Sequence, residues 1–364
     1  MRPPGRSRER EQIRTVNHLE REPIFSVITP TFNRVDEIRE LLRSLEVQKL
    51  DSNDFEVVIV DDGSEDGTRS YLETFARDTS LQLRFLTQDH KGPGAARNLG
   101  MSVSRGQIYV FIDSDCLASP EWLYEIRRHF ERDPSIDAFG GRDDAHDSFS
   151  SLLKAINFSM TSFLFTGGMR GGAKKRLAKF YPRSFNMGLR RGIAEKIGGF
   201  GALRHGQDIE FSHRLIRSGA RVVYIHEAVV YHKRRTSLKK FFRQVFNWGV
   251  ARINLSRIDR AMLEPLHFLP ALGFWAAVLF TGLALFCPAV RALWLGAAAL
   301  VLFILLTASV HAGVRSRSLA AGALVPLVTL IQISGYGLGF SMAYVWRVML
   351  GKGEFTGFVK RYYA

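Results

Sequence analysis

Short apolar runs that stop abruptly at charge recur through the first part of the chain. Residues 25–30 read FSVITP and precede a polar turn and a helical pattern over 35–48. Residues 55–60 form a second run that ends at Asp61 and Asp62, ahead of a helical pattern over 68–77. A third run, 81–87, leads to the glycine turn at Gly92 and Gly94 and a helix reaching Ser104, and a fourth, 107–112, stops at Asp113. Strands alternating with helices predict an α/β domain with a mostly parallel central sheet covered on both faces. Sheets of that kind place ligands beyond the C-terminal ends of their strands, where the charges stand here. Farther on, 152–165 predicts an apolar, aromatic helix, 166–179 a loop rich in glycine and lysine, and 228–231 a strand bracketed by His226 and His232.

The pattern changes near residue 265. Three long stretches, about 265–287, 293–311 and 319–345, are almost free of charge and reach or approach the roughly 20 residues that cross a hydrocarbon core. From residue 266 onward only seven basic and one acidic residue remain, in a chain of 364 residues with a formal charge of +15. The expected organisation is a basic, disordered arm at 1–23, an α/β domain at 24–236, an amphipathic interface segment at 237–264, a membrane domain with three transmembrane helices at 265–345, and a tail at 346–364. Between Glu227 and Asp259 there are eight basic residues and no acidic one, interleaved with Phe241, Phe242, Phe246 and Trp248. That composition fits a helix at an anionic membrane surface, and its place beside a span argues against nucleic acid as the partner. Arg315 and Arg317 assign the linker at 312–318 to the cytoplasmic side with the soluble domain. Three spans would then leave Lys352, Lys360 and Arg361 on the far side, against the charge rule. Two distant cysteines, Cys116 and Cys287, fit a reducing compartment rather than a disulfide framework.

Asp113 and Asp115, in the run IDSD at 112–115, put two carboxylates at the end of an apolar strand. Their oxygens suit Mg²⁺ or Mn²⁺, which neutralises a diphosphate. The ordered set VITPTFNR (27–34), VDDGSEDGT (60–68), GPGAARNLG (92–100), IDSD, FNMGLRR (185–191), GGFG (198–201) and HGQD (205–208) resembles the inverting glycosyltransferases of family 2, which have the GT-A fold. The likeness covers roughly residues 24–250. It implies a nucleotide-sugar donor across the strand ends, most often a UDP-sugar, with Thr31, Asn33 and Arg34 lining the nucleotide pocket and Asp61 or Asp62 at the base edge, Asp61 being favoured. By the same likeness Lys91, Gly92, Arg97 and Asn98 approach base, ribose or sugar; Asp113 contacts ribose or donor sugar; and Asp115 holds the cation, with His232 as a second ligand or diphosphate contact.

The resemblance makes Asp208 the general base that deprotonates the acceptor. Gln207 stands where the family usually has glutamate, and His205 beside it is expected to orient a loop or the acceptor. Residues 244–248, QVFNW, resemble the Gln-x-x-Arg-Trp signature of membrane-associated members, with Gln244 and Trp248 in place and Asn247 where the arginine belongs. Trp248 is expected to stack on the acceptor, and Arg234, in the basic stretch 233–237, to meet donor phosphates from a gating loop. The implied protein is an integral membrane glycosyltransferase with its catalytic domain in the cytoplasm, acting on a lipid or lipid-linked acceptor such as a polyprenyl phosphate, a lipid-linked glycan or a glycolipid. A processive polysaccharide synthase and a non-catalytic membrane protein with a degenerate transferase domain are the alternatives. Three helices are few for a private translocation channel, which a homo-oligomer would offset.

Overall fold

The computed structural model describes residues 14–15, 22–166, 180–233 and 237–358. The basic arm, most of the loop at 166–179, Arg234 and the basic residues Lys360 and Arg361 lie outside the described residues. Among the described residues one sheet of nine strands runs in the order β1-β4-β3-β2-β5-β8-β7-β9-β6. Its strands are β1 (Arg14–Thr15), β2 (Phe25–Thr31), β3 (Phe55–Asp61), β4 (Gln82–Thr87), β5 (Ile108–Phe111), β6 (Cys116–Ala118), β7 (Ala138–Asp144), β8 (Met187–Arg190) and β9 (Val222–His232). The neighbours β4, β3, β2 and β5 are parallel, while β8 pairs antiparallel with both β5 and β7.

Every residue of β2 and β3 is buried, because helices cover both faces and an alternating pattern would put polar groups in a core. On one face α1 (Val35–Glu46) buries Ile38, Leu41, Leu42 and Leu45, a helical stripe, together with α2 (Thr68–Asp78) and α4 (Trp122–Arg132). On the other, α3 (Pro93–Val103), α7 (Arg191–Ile197) and α8 (Gln207–Arg217) pack over Val58, Val60 and Phe111.

Two predicted elements differ from the observed ones. The short strand expected at 228–231 is part of β9, which includes both His226 and His232; the register against β7 jumps from Ile225 to Val229, so His226 sits on an irregular stretch and His232 at the strand end. The single helix expected over 152–165 is two, α5 (Ser151–Thr161) and α6 (Phe163–Thr166), because Ser162 adopts extended backbone.

Beyond the sheet comes α9 (Leu238–Ser256), then α10 (Leu269–Phe286), α11 (Pro288–Arg315) and α12 (Leu319–Tyr344), with a π turn at Val345–Met349. Pro288 takes the first helical position, where its missing N–H costs nothing, so α11 starts five residues ahead of its apolar run. Segments Pro265–Phe286, Pro288–Arg315 and Leu319–Met349 are each long and apolar enough to cross a membrane. The apolar side of α9 is not open to lipid as its composition suggests: Phe241, Val245, Val250 and Ile253 are fully buried, and the helix lies along α12. Gly249, Gly335 and Gly339 bring the two backbones together, and a Cβ on Gly339 would collide with the carbonyl of Phe246.

Candidate active site

The strands β2, β3 and β4 end in register at Thr31, Asp61 and Thr87, forming one edge. Just past it, Asn33 takes a positive φ of 51°, which asparagine tolerates better than most residues. Its amide joins two loops, Oδ1 accepting from Glu65 N at 2.8 Å while its backbone N–H donates to Ser64 Oγ. Asp62 organises the glycine-rich turn. Its carboxylate accepts from the backbone N–H groups of Lys91 and Gly92, both at 2.8 Å, and from Gln88 Nε2 at 2.6 Å. Asp61 is placed differently. Its Oδ1 accepts from Ser64 N, while Oδ2 and the neighbouring Thr31 Oγ1 are buried with no hydrogen-bond partner. Burial pushes the Asp61 carboxyl pKa up, with the Ser64 hydrogen bonds pulling the other way. Two unmatched polar atoms side by side at the strand ends are a natural receptor for a nucleoside.

At the end of β5, Asp113 pairs with Arg97 at 2.5 Å and Asp115 with Arg34 at 2.8 Å. Burial works against the charge on Arg34, but Asp115, Glu37 and Asp113 outweigh it and its pKa is raised. The antiparallel pairing of Cys116 with His232 between β6 and β9 brings His232 Nε2 to 3.3 Å from Asp115 Oδ1. Asp115, Cys116 and His232 offer ligand atoms all within 4.8 Å of one another. Two ligands at right angles on an ion about 2.1 Å away stand roughly 3 Å apart, so the Asp115 oxygen and His232 nitrogen fit a Mg²⁺ or Mn²⁺. The buried Cys116 sulfur is too soft a donor to be preferred by either. Asn98 is engaged elsewhere, holding the backbone of Phe200 from both ends of its amide.

A cavity of about 290 Å³ joins Asp113, Asp115 and His232 to Asp208, and its far wall is made by Ile333 and Tyr336 of α12. Gly206, at φ 79°, turns the chain into α8 and puts Asp208 in its first turn, where the helix dipole favours a negative charge. Asp208 Oδ2 meets Arg183 Nη1 at 3.3 Å. The adjoining Gln207 points elsewhere: it donates to Gly201 O at 3.1 Å and packs against Gly94 so closely that any Cβ there would strike it. His205 also faces away from the cavity, with Nε2 at 3.2 Å from Thr356 O, and burial lowers its pKa.

On α9, Gln244, Trp248 and Arg252 succeed one another at four-residue intervals along the cavity. Asn247 is off that line, accepting through Oδ1 from Phe358 N at 3.0 Å. With Arg243, Arg252 is one of the two residues the sequence offers in place of the missing signature arginine, and of the two it is Arg252 that lines the cavity. It is 8% exposed, its Nη1 has no hydrogen-bond partner, and burial pulls its pKa down. Arg183 Nε and Gln244 Oε1 are likewise buried without partners. Arg183 stands two residues ahead of FNMGLRR, which was its only signal. Tyr336 and His267, whose carbonyl accepts from the Tyr336 hydroxyl at 3.1 Å, also line the cavity from within apolar sequence.

The sequence profile of glycosyl transferase family 2 matches residues 26–198. Glycosyltransferase AglE of Haloferax volcanii is 27% identical over 255 residues, 65% of this chain and 78% of its own length. The GalNAc(5)-diNAcBac-PP-undecaprenol beta-1,3-glucosyltransferase of Campylobacter jejuni is 35% identical over 94 residues, covering 26% of this chain and 30% of its own. Among solved structures, the mannosyltransferase PcManGT from Pyrobaculum calidifontis, in complex with GDP-Man and Mn2+, superposes with a TM-score of 0.63 at 20% identity, over 90% of this chain and 89% of that one. That likeness establishes the GT-A fold.

Proposed function

We propose that this chain, a GT-A-fold member of glycosyl transferase family 2, transfers a sugar from a nucleotide-sugar donor to a hydroxyl of a lipid-linked acceptor by a single inverting displacement. One observation carries the reading: the cavity that holds Asp113, Asp115 and Asp208 is closed by α12 and the root of α10, so catalytic carboxylates and membrane-type helices build one site. The nucleoside of the donor, a UDP-sugar in our reading, lies against Thr31 and Asp61, and the sugar end against Asp113 and Arg97. A divalent cation held by Asp115 and His232 would supply positive charge against the leaving diphosphate. Arg34 orients Asp115 from the opposite side.

Asp208 accepts the proton of the acceptor hydroxyl as that oxygen attacks the anomeric carbon on the face away from the diphosphate. Arg183 and Arg252 receive the anionic phosphate of the lipid carrier, which supplies the partners their buried N–H groups lack. Ile333 and Pro270, on the same cavity wall, accept the start of an apolar chain. The Campylobacter relative, whose name gives a diphosphate-linked undecaprenol acceptor, supports that class. We place the catalytic unit on the cytoplasmic side of the membrane, where Arg315 and Arg317 put the α11–α12 turn.

The full-length protein in nanodiscs, given UDP- and GDP-sugars, Mg²⁺ or Mn²⁺, and native membrane lipids, tests this. Release of nucleoside diphosphate should be matched, mole for mole, by an extracted lipid heavier by one sugar residue. Release with no lipid product, or a soluble product alone, overturns the acceptor assignment.

A further inference from the structure

We infer that only α10 and α11 cross the bilayer, as a hairpin, and that α12 lies flat in the membrane surface beneath the catalytic unit. Residues 350–358 then stand on the same side of the membrane as Asp208. The inference starts from what touches the two ends of α12. At its start, Ser318 Oγ lies 3.2 Å from Ser151 Oγ of α5, and Arg315 lies 4.0 Å from Asp144 at the end of β7. Past its end, Arg347 Nη1 donates to Asn254 Oδ1 at 3.0 Å, Asn254 Nδ2 donates to Phe355 O at 2.9 Å, and Thr356 O meets His205. In between, Ser159 Oγ donates to Gln332 Oε1 at 2.8 Å, and Gly335 and Gly339 lie on α9.

The 26 residues of α12 span about 39 Å at 1.5 Å per residue, more than a hydrocarbon core of about 30 Å. An upright α12 would separate its ends across the membrane and drag α5 and α9 in with it. Those helices carry Lys154, Lys239, Lys240 and Arg243, charges that hydrocarbon does not accept without partners.

Exposure agrees. One side of α12, with Ala321, Val325, Val328 and Ala343, is buried against protein, and the other shows Leu319, Leu327 and Leu330. Protein covers one side of α12 and the side left open is apolar, so the helix meets lipid along that side alone. By contrast α10 and α11 are open almost all round, with 11% and 6% of their apolar windows buried against 33% for α12. The root of α11 is tied to the catalytic unit through Arg315 and Asp144, and the root of α10 to α12 through the Tyr336 hydroxyl on the His267 carbonyl. Its tip carries Phe286, 88% exposed. Two crossings also put Lys352 with Arg315 and Arg317, as the distribution of positive charge requires, whereas three would not.

Full-length protein in sealed vesicles, with one reporter thiol at a time, tests the arrangement with a membrane-impermeant maleimide. Native Cys287, in a Cys116→Ser chain, reports the hairpin tip. Tyr124→Cys, Ser316→Cys and Lys352→Cys, each also lacking Cys116 and Cys287, report the catalytic unit, the α11–α12 turn and the stretch past α12. We expect those three to label from one side and Cys287 from the other. Labelling of Lys352→Cys from the side opposite Tyr124→Cys overturns the flat α12, and labelling of Cys287 from the same side as Tyr124→Cys overturns the crossing hairpin. If a labelling variant fails to accumulate, a short bifunctional thiol reagent in intact membranes decides instead. A link between His205→Cys and Thr356→Cys is expected, and its absence while Ser151→Cys links to Ser318→Cys overturns the inference.

Discussion

A carboxylate acting as base and a guanidinium acting as anchor fail differently when replaced, and Asp208 and Arg252 are adjacent enough in one cavity to compare. Asp208→Asn keeps size and most hydrogen bonding, so we expect kcat to fall about 100- to 10,000-fold with the unfolding temperature little changed; activity near the parent value would remove the base assignment. Arg252→Gln should instead raise the acceptor KM about 10- to 100-fold and leave the donor KM within about a factor of two of the parent's. Because an unmatched buried charge is costly, that substitution should not lower the unfolding temperature. The carboxylates were legible because Asp113 and Asp115 close an apolar strand and all three, with Asp208, stand in a recurring order of motifs. Arg183 was not, because it stands outside every motif, two residues ahead of FNMGLRR, and Arg252 was obscured because the run of basic residues along 233–257 reads as a solvated or lipid-facing surface. Arg252 shares its cavity with Tyr336 of α12, which arrives some 80 residues later in the chain.

Among the elements, β2, β3, β4 and β5 were legible to within one or two residues, since continuous apolar runs bounded by charge have few other readings. The extent of β9 was not, because its irregular stretch at His226 interrupts the alternation and its pairing with β7 is set by contacts far apart in sequence. The seam between α9 and α12 rests on missing side chains. Gly339→Val should break it, lowering stability by about 1–3 kcal/mol or more and exposing Phe246, read as a fall in unfolding temperature in detergent. The stretch past α12 is held by His205, whose pKa is pulled below its ordinary 6.5 by burial. The unfolded chain therefore takes up the proton first, and stability is lost as pH falls through about 6.5. His205→Gln should flatten the dependence of unfolding temperature on pH between about 7 and 5; an unchanged slope would assign it to other groups.

Across the whole molecule, an amphipathic interface segment was expected to join the α/β and apolar parts; α12 in addition forms a wall of the candidate cavity and is packed by α5 and α9 along its length. A catalytic domain cut off before α10 should therefore lose the acceptor site while retaining the donor edge at Thr31 and Asp61, seen as nucleotide binding without transfer. The apolar wall at Pro270 and Ile333 has a kinetic meaning as well. A reactant entering past it arrives sideways within the plane of the lipid, so the concentration the enzyme responds to is two-dimensional. Diluting the acceptor with inert phospholipid should slow turnover even when the amount of acceptor per litre is constant, whereas adding more vesicles of one composition should leave the rate per enzyme molecule unchanged. The rate would then follow the crowding and fluidity of the surrounding leaflet, and the membrane's own composition would set the pace of glycan assembly.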